Sequence, residues 1–471
     1  MLREKKTTDR EPIRHGVDRV LAILASACML CWPAFWNRFP LVFPDSLQYL
    51  WNGKTIVRQL LKFHRPDLVD GRSEIFSIFS YLFYRSLGVW TALALQALLA
   101  SWILWLVVRS IAPRRQVTVF LALSAVLSLF TAASWFVSFL MPDILGPLLY
   151  LSLYLLVFAP DTLRRWEKWL LLVIAWFAIT AHATHLALAA WLCLVLGVLW
   201  LCGWFAMRQR GVWLLRVGAL VLLAAGTQVA LHTVLYGEPS VLGVPFPLLT
   251  ARLLEDGPAR TYLQEHCDGR DWVLCSHLHD LPKTGPNTLS SFWQTATPAQ
   301  RRQLRKEEMP LLKAVLATYP KEQVKHFWSS FLTTMGYVGV DYEFTNYPVW
   351  SQPLDSTLCK VYGGYFRSRQ QQDAMPWRNF RGLQEKVVLV ALGLLVVLLP
   401  GVWKRRQDLS CLRMLGLSVI VVCVLPANAF LCGVFSGAYP RHQVRVAWLL
   451  VLLAALLAVV RVQQHRRIPR S

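Results

Sequence analysis

The chain has little charge: Asp, Glu, Lys and Arg make up 16% of its 471 residues. A soluble protein of this length would carry more charge and shorter apolar runs. Acids are the scarcer sign, 27 against 49 Lys and Arg, for a formal charge of +22. There is no Cys/His metal spacing, which removes the structural zinc modules. No internal repeat and no inverted hydropathy symmetry is visible, which argues against the repeat-built transporters. The first apolar segment lacks a small-residue cleavage site and follows a long basic stretch, so it reads as an anchor and not a removed signal. No groove of interleaved basic and aromatic residues is apparent, and no nucleic-acid partner is expected.

What is present is apolar: 55% of the residues, with 21 tryptophans. Runs approaching the ~20 residues needed to cross a ~30 Å hydrocarbon layer recur along the chain. The expected fold is therefore an all-α polytopic membrane protein with about ten transmembrane helices. The spans fall near 17–37, 88–108, 117–135, 142–159, 167–182, 185–206, 213–235, 386–403, 411–433 and 443–462. Basic clusters sit at alternate ends of these runs: Arg10 and Arg14; Arg109, Arg114 and Arg115; Arg164, Arg165 and Lys168; Arg208, Arg210 and Arg216; Lys404, Arg405 and Arg406; Arg466 and Arg467. This is the positive-inside pattern. The run 166–206 has basic residues at both ends, so it must cross twice, turning at "HATH", His182 to His185. Both termini are then cytoplasmic, and the expected location is the bacterial inner (plasma) membrane.

Five regions follow: a cytoplasmic tail 1–16, a transmembrane module 17–235, an extracytoplasmic domain 236–385 of mixed, mainly helical character, C-terminal spans 386–462 and a tail 463–471. Within the first loop, "SLQYLWNGKTIVRQLL" puts Leu47, Leu50, Trp51, Val57 and Leu61 near one helical stripe. "SEIFSIFSYLFYRSL" is short, aromatic and opened by Ser73. Both read as amphipathic helices lying in the membrane interface, with Lys54 and Arg58 snorkelling to water. Most cysteines lie in apolar runs and read as packing residues. Cys267, Cys275 and Cys359 fall in the polar segment, where Cys267–Cys275 is a candidate disulfide if that segment is extracytoplasmic, or a pair of free thiols.

The unusual polar groups gather on the extracytoplasmic side of this topology. Asp45 in "FPDSLQYL" follows the first span, and Asp143 in "MPDILGPLL" lies between the third and fourth. His182 and His185 turn between the fifth and sixth, and Arg441, His442 and Arg445 in "YPRHQVRVAWL" open the tenth. Ionisable groups at an apolar boundary are costly and usually functional, and basic residues there ask for an anionic partner. Each also has a structural reading. Asp45 or Asp143 could cap the helix it precedes, the histidines could be satisfied by nearby carbonyls, and the arginines could meet lipid headgroups. Two histidines alone do not make a metal site.

With the two interfacial helices, including "GRSEIFSIFSYLF", this layout resembles the C-type (GT-C) superfamily of polytopic glycosyltransferases. The resemblance is architectural over most of 17–235. It implies a lipid-linked sugar donor, commonly a polyprenyl phosphate sugar, and an extracytoplasmic acceptor. By position it implies Asp45 as catalytic base and Asp143 as the second-loop acid that assists the acceptor or a metal. It also implies Arg72 as a shaper of the site, and Arg441, His442 and Arg445 as the holders of the donor phosphate. Several members carry a paired acid where this chain has "PDS", so a divalent metal is left open; no organic cofactor is expected. Desolvation at the membrane edge is expected to raise the pKa of Asp45 and strengthen it as a base. The competing readings are a non-catalytic transporter, flippase or envelope assembly protein, and an acyl- or phosphotransferase using His182 or His185.

Overall fold

The computed structural model describes residues 10–64, 72–112, 114–204, 208–237, 239–242, 246–281, 288–346 and 360–465. Cys359 and the basic residues Arg466 and Arg467 lie outside them. Among the described residues the protein is helical, without strands. The chain runs α1 (Arg10–Leu30), α2 (Trp32–Asn37), α3 (Pro44–Leu61), α4 (Glu74–Leu87), α5 (Val89–Ile111), α6 (Gln116–Phe130), α7 (Ala133–Val137) and α8 (Leu145–Phe158). Then come α9 (Arg165–Ala181), α10 (Ala183–Leu201) and α11 (Arg208–Tyr236). A polar segment follows, with α12 (Leu248–Asp256), α13 (Pro258–His266), α14 (Val273–His277), α15 (Thr288–Thr295), α16 (Pro298–Thr318) and α17 (Pro320–Gly336). The chain closes with α18 (Trp377–Lys404), α19 (Leu409–Phe435) and α20 (Pro440–His465).

Six helices are long and apolar enough to cross a membrane: α5, α10, α11, α18, α19 and α20. Their outward residues are themselves apolar. Leu215 and Leu222 on α11 are 73% and 74% exposed, and Val396 and Val397 on α18 are 76% and 74% exposed. Such stripes would not persist against water, and they mark contact with lipid. This is an integral membrane protein.

The remaining expected spans form helices that depart from a simple crossing. The run 17–37 divides at Cys31, because Pro33 in the first turn of α2 has no N–H to continue the α1 ladder. The run 117–135 ends as a helix at Phe130, and Thr131 is extended before the short α7. The fourth run gives α8, whose 14 residues are all buried. A helix apolar on every side suits the centre of a bundle. The fifth and sixth runs turn at His182, whose extended backbone (φ −157°, ψ 133°) separates α9 from α10.

Both helices expected in the first loop form, and they pack against each other. Their crossing is close: a Cβ on Gly53 would stand 2.0 Å from the Ser77 carbonyl oxygen and 2.7 Å from the Tyr81 Cβ. The buried face of α3 is not the expected stripe. Tyr49, Leu50, Asn52, Gly53, Lys54 and Ile56 are buried, whereas Trp51 and Leu61 are exposed. Lys54 therefore does not snorkel, and lies 5.2 Å over the Trp51 ring. The sequence reading assumed water on the polar side. Here Asn52 and Lys54 of the polar side face protein together with Tyr49, Leu50 and Ile56, while Trp51 and Leu61 face outward, as a helix at a lipid boundary permits.

Residues of α12–α16 build a second core around Leu253, Leu254, Leu263, Leu289, Leu304 and Leu311. Cys267 and Cys275 are disulfide-bonded beside it. Glu308 accepts the amides of Leu249 and Thr250 at the start of α12, and Glu307 accepts the Val273 amide at the start of α14. Each carboxylate satisfies orphan donors of another helix's first turn.

Candidate functional site

Two loops at one end of the bundle are tied together by main-chain bonds. The Leu41 amide donates to the Ser138 carbonyl at 2.8 Å, and the Leu140 amide donates to the Leu41 carbonyl at 2.9 Å, a single parallel bridge. Gln96 of α5 steadies the second loop by donating to the carbonyls of Val137 (2.8 Å) and Phe139 (3.0 Å). From the far end of the polar segment, the Gln370 side chain pairs with both main-chain groups of Val42, at 3.1 and 2.8 Å. The Gln370 amide reaches the Asn37 Oδ1 at 2.7 Å, and the Tyr362 hydroxyl donates to the Ser46 carbonyl at 3.0 Å. Asp45 and Asp143 are thus carried on strapped backbone.

Neither acid caps a helix with its side chain. Phe43 is the N-cap of α3, Pro44 takes the first position, and the Ser46 hydroxyl accepts the Phe43 amide at 3.1 Å. That leaves the Asp45 carboxylate for two arginines: Arg72 Nη2 at 2.5 Å on one oxygen and Arg441 Nη2 at 3.0 Å on the other. Arg441 also lies 4.2 Å over the Phe43 ring. Burial pushes the Asp45 carboxyl up, but the charges of Arg72 and Arg441 outweigh it and hold the group below its ordinary range. The expected rise is therefore reversed: the site desolvates Asp45 and neutralises it at the same time.

Asp143 meets the third arginine. Arg445 Nη1 donates to it at 3.2 Å, with side chains 1% and 4% exposed. The other Arg445 nitrogen donates to Thr184 Oγ1 at 3.2 Å, Asn428 Oδ1 at 3.3 Å and Cys432 Sγ at 3.5 Å. Asn428 in turn donates to the His442 carbonyl and to Gln443 Oε1, which fixes the start of α20 against α19. Thr184 links this group to the α9–α10 turn, where its own amide and hydroxyl meet His182 Nδ1.

The histidines are placed here but engaged elsewhere. His185 Nδ1 pairs with the Ala178 carbonyl at 2.8 Å and must donate; its Nε2 is buried, with no partner among the described residues. That nitrogen packs on α8, 2.9 Å from where a Cβ on Gly146 would stand. His442 Nδ1 pairs with the Gly437 carbonyl at 3.2 Å. Asp45, Arg72 and Arg441 form one bonded group, and Asp143, Arg445, Thr184 and His182 a second. Arg441 and Arg445, one turn apart on α20, set the two side by side, while His185 and His442 flank them on main-chain partners.

Several members were not anticipated. Glu343, from the short turn Tyr342–Phe344, accepts the Arg441 amide at 2.6 Å and so caps α20 from another segment. Burial pushes its carboxyl up to about 7. Glu74, next to Arg72, is buried between His232 (3.0 Å) and the Tyr236 hydroxyl (3.0 Å) of α11. Asn428 had a visible signal, a lone amide inside an apolar run just after Pro426. Glu343 and Glu74 had none, because their partners lie far along the chain.

Among the described residues no three His, Cys, Asp or Glu side chains gather within reach of one ion, and both acids face guanidinium groups. The arrangement suits an anion better than a cation. Arg441 Nη1 is a buried donor without a partner among the described residues, next to a carboxylate already held by a second arginine.

Fold and site together define a helical integral membrane protein with a buried arginine–carboxylate cluster at one end of its bundle. No family, no curated protein and no solved structure matches the chain.

Proposed function

We propose that the protein is a membrane glycosyltransferase that moves a sugar from a polyprenyl-phosphate-type donor to an extracytoplasmic glycan, lipid or protein acceptor. The observation that carries this reading is the double bridge of Arg72 and Arg441 on Asp45, with Arg441 Nη1 beside it, unpartnered among the described residues. The layout resembling GT-C enzymes supports it: a first-loop acid, two packed helices after it, a second-loop acid and a late basic cluster.

In this reaction the acceptor hydroxyl oxygen bonds to the anomeric carbon as the carbon–oxygen bond to phosphate breaks. The electron pair leaves with the phosphate, and the hydroxyl proton passes to Asp45. As it stands Asp45 is a poor base, since both oxygens are engaged. A donor phosphate drawing Arg441 and Arg72 toward its own oxygens would release the carboxylate and raise its proton affinity as the acceptor arrives. The same guanidinium groups would then stabilise charge on the leaving phosphate. Arg445, enclosed by Asp143, Thr184 and Asn428, would hold the walls and add positive potential. One displacement of this kind inverts the sugar carbon. The active end lies on the extracytoplasmic side in the topology set by the basic clusters, with both termini cytoplasmic and the polar segment outside.

The test is transfer of radiolabel from polyprenyl phosphate sugars by membranes containing the protein. Asp45→Asn should lower transfer by about 10²-fold or more, the usual worth of a general base, while yield and detergent elution stay unchanged. Full activity in that variant removes Asp45 from catalysis. Label that crosses the bilayer without joining an acceptor would favour a transporter or flippase.

A further inference from the structure

At the opposite end of α9 and α11 from the Asp45 cluster lies a groove of about 730 Å³. The two helices run in the same direction, since Lys168 lies over Trp213 and Trp176 bonds to Thr227 further along. The entrance is cationic. Arg216 stands 4.5 Å and Lys168 5.5 Å over the same Trp213 ring, with Arg165 a turn before Lys168. Beyond it the lining is apolar, through Leu172, Ala219, Leu220 and Leu223. The Trp176 indole N–H, donating to Thr227 Oγ1 at 3.3 Å, joins the helices again at the far end. From Lys168 to Trp176 is roughly 12 Å of helix.

The charges at the entrance are uncompensated by the acids nearest in sequence. Glu167 is committed to Arg109 and to the Arg164 amide, and Asp161 to Arg413. Two cations lie over one indole ring, which attracts each of them but does nothing about their mutual repulsion. A bound anion would relieve that repulsion. A free phosphate would have no use for the apolar lane behind the entrance; a lipid would fill both parts.

We propose that the α9/α11 groove is a site for one anionic lipid, its phosphate held by Arg165, Lys168 and Arg216 and its chain lying along Leu172, Leu220 and Leu223. Basic pockets between membrane helices recognise acidic headgroups by this combination of charge and apolar wall. The site is separate from the Asp45 cluster, so it stands whether or not the protein is a transferase.

Full-length protein in neutral detergent, titrated with phosphatidylglycerol, phosphatidylcholine or inorganic phosphate, tests the proposal by native mass spectrometry and thermal unfolding. Phosphatidylglycerol should bind at one equivalent and raise the unfolding midpoint, and the other two should do neither. Lys168→Gln with Arg216→Gln should weaken binding tenfold or more. Arg406→Gln, an exposed cation over Trp403 outside the groove, should leave it unchanged. Ala219→Phe, which fills the lane and spares the charges, should also remove lipid binding, and it serves if the double variant fails to fold. Equal binding of both lipids, binding of phosphate alone, or an equal loss in Arg406→Gln would overturn the proposal.

Discussion

Arg445 is among the largest side chains in the protein that are almost completely enclosed. A guanidinium in that position survives only because Asp143, Thr184, Asn428 and Cys432 accept its hydrogen bonds. Replacing it with Gln leaves Asp143 buried without its cation, and about 3–5 kcal/mol of stability should be lost. The double variant Arg445→Gln with Asp143→Asn should recover at least half of that, read from unfolding in detergent. Additive losses would mean that the two groups are not coupled. Glu343 makes a prediction in pH. Its folded pKa of about 7 lies above its ordinary 4.5, so the native chain holds a proton that the unfolded chain releases. The contribution is fully present below about pH 4.5 and is lost as the pH rises through 7, on the order of 3 kcal/mol. Glu343→Gln should flatten stability across that window while the wild type declines. A decline of the same slope in the variant would assign the effect to another group.

At the scale of elements, most helices were legible because an apolar run of spanning length has few alternatives. The α9–α10 turn was legible for a different reason: basic residues at both ends of 166–206 forbid one crossing. What could not be read was the face of α3, since hydropathy marks its apolar side but not whether lipid or protein lies against it. Nor could sequence show that Gln370 would clasp Val42, 328 residues away, or that Asp45 would lose its cap role to Ser46. The candidate acids and arginines were visible as polar groups at apolar boundaries, but their pairing was not, and the pairing reverses the expected shift at Asp45. Gly53 carries the prediction for this scale. Ala there places a methyl within clash distance of the Ser77 main chain, so α3 and α4 must separate. A loss of about 1–3 kcal/mol should result, together with reduced transfer, because α3 carries Asp45 and α4 begins beside Arg72. Wild-type stability in Gly53→Ala would show that the crossing is looser than these distances imply.

For the whole molecule, the functional proposal depends on which side of the membrane each end occupies. Six helices meet the length and hydropathy for crossing; α1, α6, α8 and α9 complete the count of ten only if short or charged helices also cross inside the bundle. An even count puts both termini together and the α12–α17 segment on the far side, where its disulfide would persist in an oxidising compartment. Labelling separates the possibilities. In a background with the exposed Cys28 and Cys202, and Cys359 of the polar segment, changed to Ser, Lys321→Cys in α17 and Arg406→Cys after α18 each supply one exposed reporter. A membrane-impermeant maleimide added to intact cells should label the first and not the second, and permeabilised cells should label both. The same reagent should modify Cys267 and Cys275 only after reduction. Labelling of Arg406→Cys in intact cells would invert the topology and place the Asp45 cluster in the cytoplasm. A donor presented at the extracytoplasmic face could not reach it there.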